Sequence, residues 1–84
     1  MNRRTQDFPN IVYRRGASGR FSPILRGTGI RVQTIVIASL DMTPSEIATD
    51  YDLTEALVQD ALSFYREHQM EIDSDIQAEA ALEK

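Results

Sequence analysis

The stretch Thr43-Pro44-Ser45-Glu46-Ile47-Ala48-Thr49-Asp50-Tyr51-Asp52-Leu53-Thr54-Glu55-Ala56-Leu57-Val58-Gln59-Asp60-Ala61-Leu62-Ser63 decides the fold. It opens on a capping box. The Thr43 hydroxyl can accept from a free helix N–H while Glu46 reaches back to the Thr43 N–H, and Pro44 takes the first helical position, where an N–H is not needed. A short helix over 44–50 follows. Asp52-Leu53-Thr54 reads as a turn that ends on a second N-cap, Thr54. Asp52 stands where such turns usually carry glycine; it tolerates left-handed backbone, though less cheaply. From Glu55 onward, Leu57, Val58, Ala61, Leu62 and Tyr65 recur at three- and four-residue spacing, the mark of an amphipathic helix. Ile47 and Ala48, Leu53 in the turn, and Val58 and Ala61 supply the plugs of a helix-turn-helix over 44–63. Any short helical hairpin needs similar plugs, so the pattern speaks more to form than to function.

Upstream, the segment Arg31–Leu40 fits two periods. Val32, Ile35, Val36 and Leu40 share a helical face, yet Ile30, Val32, Thr34 and Val36 alternate as in a strand. The β-branched content favours a strand; the length, and the position before a helical hairpin, favour a helix over 32–40. Earlier still, Ile11-Val12-Tyr13 and Phe21–Leu25 flank the turn-rich Arg15–Arg20, which predicts a β-hairpin with a loop longer than two residues. Pro23 marks an edge or a strand start. Gly27-Thr28-Gly29 punctuates the chain again. Residues 1–10 read as a loose arm. Downstream of Tyr65 the apolar stripe weakens, then resumes as Met70, Ile72, Ile76 and Ala80 amid six carboxylates and one lysine between Glu67 and Lys84. This is an acidic tail, helical or able to become so. The expected architecture is one mainly α domain over 1–84: arm 1–10, basic hairpin and Gly-Thr-Gly loop 11–31, helical core 32–66, acidic tail 67–84.

Composition narrows the function classes. At 84 residues the core is thin, and dimerisation would help it. The absence of cysteine removes disulfides, thiolate zinc sites and a cysteine nucleophile. A single histidine, His68, leaves a transition-metal site to be built from carboxylates. The longest apolar run, Ile35–Ala38, is far too short to cross a bilayer, and no signal-peptide pattern precedes it; the expectation is a soluble, cytoplasmic protein.

The net charge of −4 conceals a division along the chain. Residues 1–31 hold seven arginines against Asp7, a net +6, whereas residues 32–84 hold Arg66 and Lys84 against twelve carboxylates, a net −10. Such asymmetry suits two partners of opposite charge, or one chain's head meeting another's tail. All seven early cations are arginine, whose planar fork grips phosphate or carboxylate through two bonds. The outward positions of the second helix, by contrast, are Thr54, Glu55, Ala56, Gln59, Asp60 and Ser63. Only Gln59 among them suits base reading, and the carboxylates would face phosphate, so this helix is a poor major-groove reader. If DNA is bound, Arg14, Arg15 and Arg20 around the hairpin, with Arg26 and Arg31, are the better contacts.

The string Ser22-Pro23-Ile24-Leu25-Arg26-Gly27-Thr28-Gly29-Ile30-Arg31-Val32 resembles the hallmark of the family called domain of unknown function 433, an apolar-x-Gly-Thr-Arg-Ile-Pro-Val stretch. Thr43-Pro44-Ser45-Glu46-Ile47, Tyr51, Leu53-Thr54, Val58, Ala61-Leu62, Tyr65 and Glu71-Ile72-Asp73 fall in step with the rest of that family's pattern, so the resemblance spans about Ile11 to Ile76. Its members look like VapB-type antitoxins, often encoded beside a PIN-like ribonuclease toxin. The resemblance implies a homeodomain-like helical core, a homodimer, a C-terminal segment that blocks the toxin, and operator DNA as a further partner. Two positions depart from it: Gly29 stands where the family has arginine, and Arg31 where it has proline. Any contact made by the family's arginine would pass here to Arg31 or Arg26.

No constellation for catalysis emerges, and the expectation is a protein that is not an enzyme, with no cofactor, metal or small-molecule substrate. Asp73-Ser74-Asp75 and Asp50-Tyr51-Asp52 lack the oxygen density of a calcium loop. His68 reads as a surface residue, and Gly27-Thr28-Gly29 lacks the lysine of a phosphate loop. The acidic tail offers a mechanism instead. A ribonuclease needs a positive groove for its substrate, and Glu71, Asp73, Asp75, Glu79 and Glu83 can lie in it as a counterfeit backbone, anchored by Ile72, Ile76 and Leu82. Equally, Ile72 and Ile76 can cover the chain's own core or a dimer seam. Two readings stand: an antitoxin with operator binding led by arginines, and a helix-turn-helix-shaped interaction module or dimeric adaptor with no DNA role.

Overall fold

The computed structural model describes residues 8–16, 19 and 21–82, the side chains of residues 81 and 82 excepted. Two strands precede four helices: β1 (Ile11–Arg15), β2 (Phe21–Leu25), α1 (Val32–Ala38), α2 (Pro44–Tyr51), α3 (Glu55–Glu67) and α4 (Gln69–Leu82). The strands form an antiparallel hairpin, with Ile11 opposite Leu25 and Arg15 opposite Phe21. Alternation puts Ile11, Tyr13 and Arg15 on one face, and the first of these is fully buried.

The Gly27-Thr28-Gly29 stretch is a structural turn. Both glycines take positive φ, +79° and +74°, which only glycine adopts cheaply. Thr28 staples the loop, its hydroxyl donating to the Leu25 carbonyl at 2.8 Å and accepting from the Ile30 N–H at 3.0 Å. Leu25 N–H donates to the Ile30 carbonyl at 2.8 Å, which closes the loop and points the chain into α1.

The ambiguous segment is helical, but it stops at Ala38, two residues short of expectation, in a turn where Ser39 Oγ donates to the Val36 carbonyl. Val32, Ile35 and Val36 are buried on one face. The capping box forms as its spacing predicts: Thr43 Oγ1 accepts from the Glu46 N–H at 3.2 Å and Glu46 Oε1 from the Thr43 N–H at 2.8 Å. Asp52 adopts left-handed backbone, φ 57° and ψ 48°, and Leu53 N–H returns to the Ala48 carbonyl at 2.8 Å, ending α2. Thr54 caps α3 by accepting from the Leu57 N–H. Helices α2 and α3 thus form the expected helical hairpin, with Ile47, Ala48, Val58 and Ala61 buried between them and the rest of the core.

The centre of that core is Phe64, which the spacing argument passed over in favour of Leu62 and Tyr65. It is fully buried, with Phe8 edge-on at 5.4 Å and His68 stacked at 4.1 Å. The position of Phe8 corrects the expected arm. Residues 8–10 are held, because Phe8 packs on Phe64, Pro9 accepts from Arg26 and Asn10 bonds Asp60. The rest of the expected arm lies outside the described residues. The acidic tail is helical, and it folds back rather than extending free: Ile72 is 1% exposed within the same core, and Ile76 packs against it.

Candidate functional site

Two charged surfaces emerge from this frame, one on the hairpin and one on α4. On the hairpin, Arg14 and Arg15 are exposed and point to opposite faces of the strand. The Arg15 guanidinium lies over the Phe21 ring, 5.0 Å from its centroid, an attraction between cation and ring that pairs the two cross-strand neighbours. Phe21 itself is 58% exposed, an aromatic face left to solvent beside two arginines. Arg20 lies outside the described residues. Arg26 is exposed in the hallmark loop, where its Nε donates to the Pro9 carbonyl at 2.9 Å and its N–H to the Asn10 carbonyl at 2.8 Å. Asn10 in turn donates from Nδ2 to Asp60 Oδ2 at 2.8 Å, bringing the Arg26 loop against the middle of α3. Gln59 is exposed on α3, in a helix that carries Glu55 and Asp60 on either side of it.

The acidic surface is already partly engaged by the chain itself. Glu71 Oε2 accepts from the Tyr13 hydroxyl at 2.6 Å, tying α4 to β1. Asp73 Oδ1 accepts from the Tyr65 hydroxyl at 2.8 Å. That bond holds the Tyr65 pKa above its ordinary value, with partial burial and the Asp73 charge acting in the same sense. Glu79 accepts from both terminal nitrogens of Arg31, an ion pair of fork geometry, and from Gln33 Nε2 at 3.1 Å. Gln33 is buried, so its amide is satisfied by the tail rather than by water. Asp75 is half-buried and also engaged. The Leu82 side chain lies outside the description.

Of the residues singled out for DNA, the fold therefore leaves Arg14, Arg15 and Arg26 facing solvent on the hairpin side, while it commits Arg31 to the tail. Of those singled out for the toxin, Ile72 is committed to the core. A partner can meet α4 as it lies only through its outer residues, or must lift it. Sequence reasoning missed Tyr13, Tyr65 and Gln33 as the groups that receive the tail. Their signal was weak, since each reads as an ordinary surface or core position until the tail folds back.

Among the described residues, no group of three His, Asp or Glu is placed to hold a metal ion, and no helix is long and apolar enough to cross a membrane. An open depression beside α2 is lined by Met42, Ser45, Glu46, Thr49 and Asp50; Glu46 is held in the capping box and Thr49 Oγ1 donates to the Ser45 carbonyl.

A family model described as a protein of unknown function, DUF433, matches residues 20–65, from the end of the hairpin loop to the last turns of α3. The match stops short of α4. No curated protein and no solved structure matches the chain.

Proposed function

We propose that this chain, which belongs to the DUF433 family of proteins of unknown function, is an antitoxin that neutralises a PIN-like ribonuclease through α4. The observation that carries this reading is how α4 is attached. A helix bearing Glu71, Asp73, Asp75 and Glu79 is seated by one fully buried side chain, Ile72, by the half-buried Ile76, and by polar contacts at its flanks. Polar contacts near solvent contribute little net free energy and exchange readily for equivalent ones. A cationic nuclease groove offers such equivalents, so α4 can transfer from its own domain to the groove. Its charge speeds encounter, and Ile72 and Ile76, uncovered by the transfer, slow release. The α2–α3 pair serves in this reading as a homeodomain-like core that carries the hairpin and α4. Operator DNA is contacted by Arg14, Arg15 and Arg26 rather than by α3, whose outward carboxylates repel phosphate.

The test is co-purification with any PIN-like ribonuclease encoded beside this chain. Removal of residues 70–84 is expected to abolish the complex, and so is the full-length variant Glu71→Gln/Asp73→Asn/Asp75→Asn/Glu79→Gln, which keeps Ile72 and the core. Undiminished binding by the second variant would refute the tail mechanism.

A second reading is favoured by a specific observation. Arg31–Glu79 and Tyr13–Glu71 join the basic head to the acidic tail within one chain. A basic head and an acidic tail that meet in this way suit an interaction module or dimeric adaptor with no DNA role. Binding to its own promoter that is weak and insensitive to salt would select this reading.

A further inference from the structure

The junction between α3 and α4 is a single residue. His68 departs from helical backbone, φ −128° and ψ 37°, between the 13-residue α3 and the 14-residue α4. The apolar stripe lapses at the exposed Gln69 and Met70, yet its phase is kept across the break. On one continuous helix Val58, Leu62, Tyr65, Gln69, Ile72 and Ile76 would fall within about 80° of one another. A break that marked a true change of direction in the design has no reason to preserve that phase. The helix hydrogen bonding also nearly spans the break, since His68 N–H reaches the Phe64 carbonyl at 3.0 Å and Ile72 N–H the His68 carbonyl at 3.0 Å.

We infer that α3 and α4 straighten into one helix and that α4 then docks on a second copy of this chain, giving a dimer with exchanged tails. The straight helix would be about 42 Å long, more than the 36 Å greatest extent of the folded domain. Ile72 and Ile76 would then project beyond their own core. The surface that fits them is the one they left, and only a second copy offers it. Every contact that α4 makes to β1 and α1 re-forms there: Glu79 with Arg31 and Gln33, Glu71 with Tyr13, Ile72 in the same core. The Tyr65–Asp73 bond breaks, because its two residues would lie eight apart on one helix, about 12 Å along its axis. In return each chain acquires regular helix at His68. Terminal elements joined by short hinges exchange at low cost for this reason. The inference stands whether or not α4 also binds a nuclease.

Complementation tests it. Arg31→Glu and Glu79→Arg each set like charges together, in the folded-back and the exchanged form alike. Mixed at equal concentration, unfolded in urea and refolded together, the two variants restore both opposite-charge pairs only if tails cross between copies. Native mass spectrometry, which separates the two by mass, is expected to show mixed dimers as nearly all of the dimer, well above the half that random pairing gives, with each variant alone no more associated than the intact chain. Circular dichroism of each variant checks that it folds. Two hinge variants give an independent reading: His68→Ala favours the straight helix and His68→Gly the bend. With two hinges per dimer, their association constants should differ by roughly thirtyfold. Monomers throughout, or a dimer whose composition is random and whose strength ignores residue 68, would overturn the inference.

Discussion

Arg31 and Glu79, 48 residues apart in sequence, meet as an ion pair in which the second guanidinium nitrogen lies 3.2 Å from the second carboxylate oxygen. Arg31 immediately follows the hallmark loop and Glu79 lies near the end of α4, so one pair joins the basic third of the chain to the acidic tail. The glycine turn at 27–29 aims Arg31 at the place where α4 returns. Gln33, the second residue of α1, adds a third donor to the same carboxylate.

Both partners of this pair are about two-fifths exposed, so it sets the seating of α4 more than it stabilises the fold. Arg31→Ala or Glu79→Ala should cost about 0.5–1 kcal/mol in urea unfolding, with the cost shrinking as salt is raised. A loss of about 3 kcal/mol or more would mean that the pair behaves as a buried one.

Ile72 is the anchor. Ile72→Ala removes a fully enclosed side chain and should destabilise by about 2–4 kcal/mol, while Ile76→Ala, only half-buried, should cost about 1 kcal/mol. Hydrogen exchange should show α4 losing protection before α2 and α3 do. Equal losses at the two positions would deny Ile72 its special place.

The short helices depend on their ends. Thr43→Ala and Thr54→Ala each remove one cap and should cost about 1 kcal/mol. Gly27→Ala meets no neighbouring atom within 4 Å, so its cost, about 1–2 kcal/mol, comes from the left-handed backbone alone. Thermal unfolding of the three variants checks these values.

Much of this was legible in residues close together in sequence. Thr43 with Glu46, Thr54, and the glycines of the hallmark loop act within a few residues of themselves, and each does in the structure what its chemistry predicts. The helix over Val32–Ala38 was less legible, because Val32, Ile35 and Val36 satisfy a strand's period as well as a helix's. The return of α4 was legible only as one of two alternatives, with Ile72 and Ile76 covering the chain's own core, and its polar seating was not. It rests on Tyr13 meeting Glu71 and Arg31 meeting Glu79 across 58 and 48 residues, and the charge division announced only that such meetings were possible, within a chain or between chains. Phe64 was missed because its three-residue step from Ala61 falls at the margin of the stripe read from Leu57, Val58 and Leu62.

Tyr65 reports on the folded-back tail. Its pKa is raised, first because its hydroxyl donates a hydrogen bond to Asp73 and then through burial and the Asp73 charge. A raised folded value means that the contribution to stability is complete below the ordinary tyrosine pKa and is lost as pH climbs through the raised one. Tyrosinate absorbance should therefore show this residue ionising late, and Asp73→Asn should return it toward the ordinary range. No change in that variant would place the cause elsewhere.

Binding of Arg14, Arg15 and Arg26 to phosphate predicts a steep fall in DNA affinity with salt. The double variant Arg14→Ala/Arg15→Ala should flatten the slope of log affinity against log salt by about 2, roughly one for each phosphate no longer neutralised. Gln59→Ala should leave the slope unchanged.

The most direct measurement is calorimetric titration of the PIN-like ribonuclease proposed as its partner with the intact chain and with Glu71→Gln/Asp73→Asn/Asp75→Asn/Glu79→Gln, each at low and high salt. The account predicts tight, salt-weakened binding by the intact chain and at least a hundredfold loss in the neutralised one, with hairpin variants such as Arg14→Ala binding as the intact chain does. Equal affinity for intact and neutralised chains would contradict it.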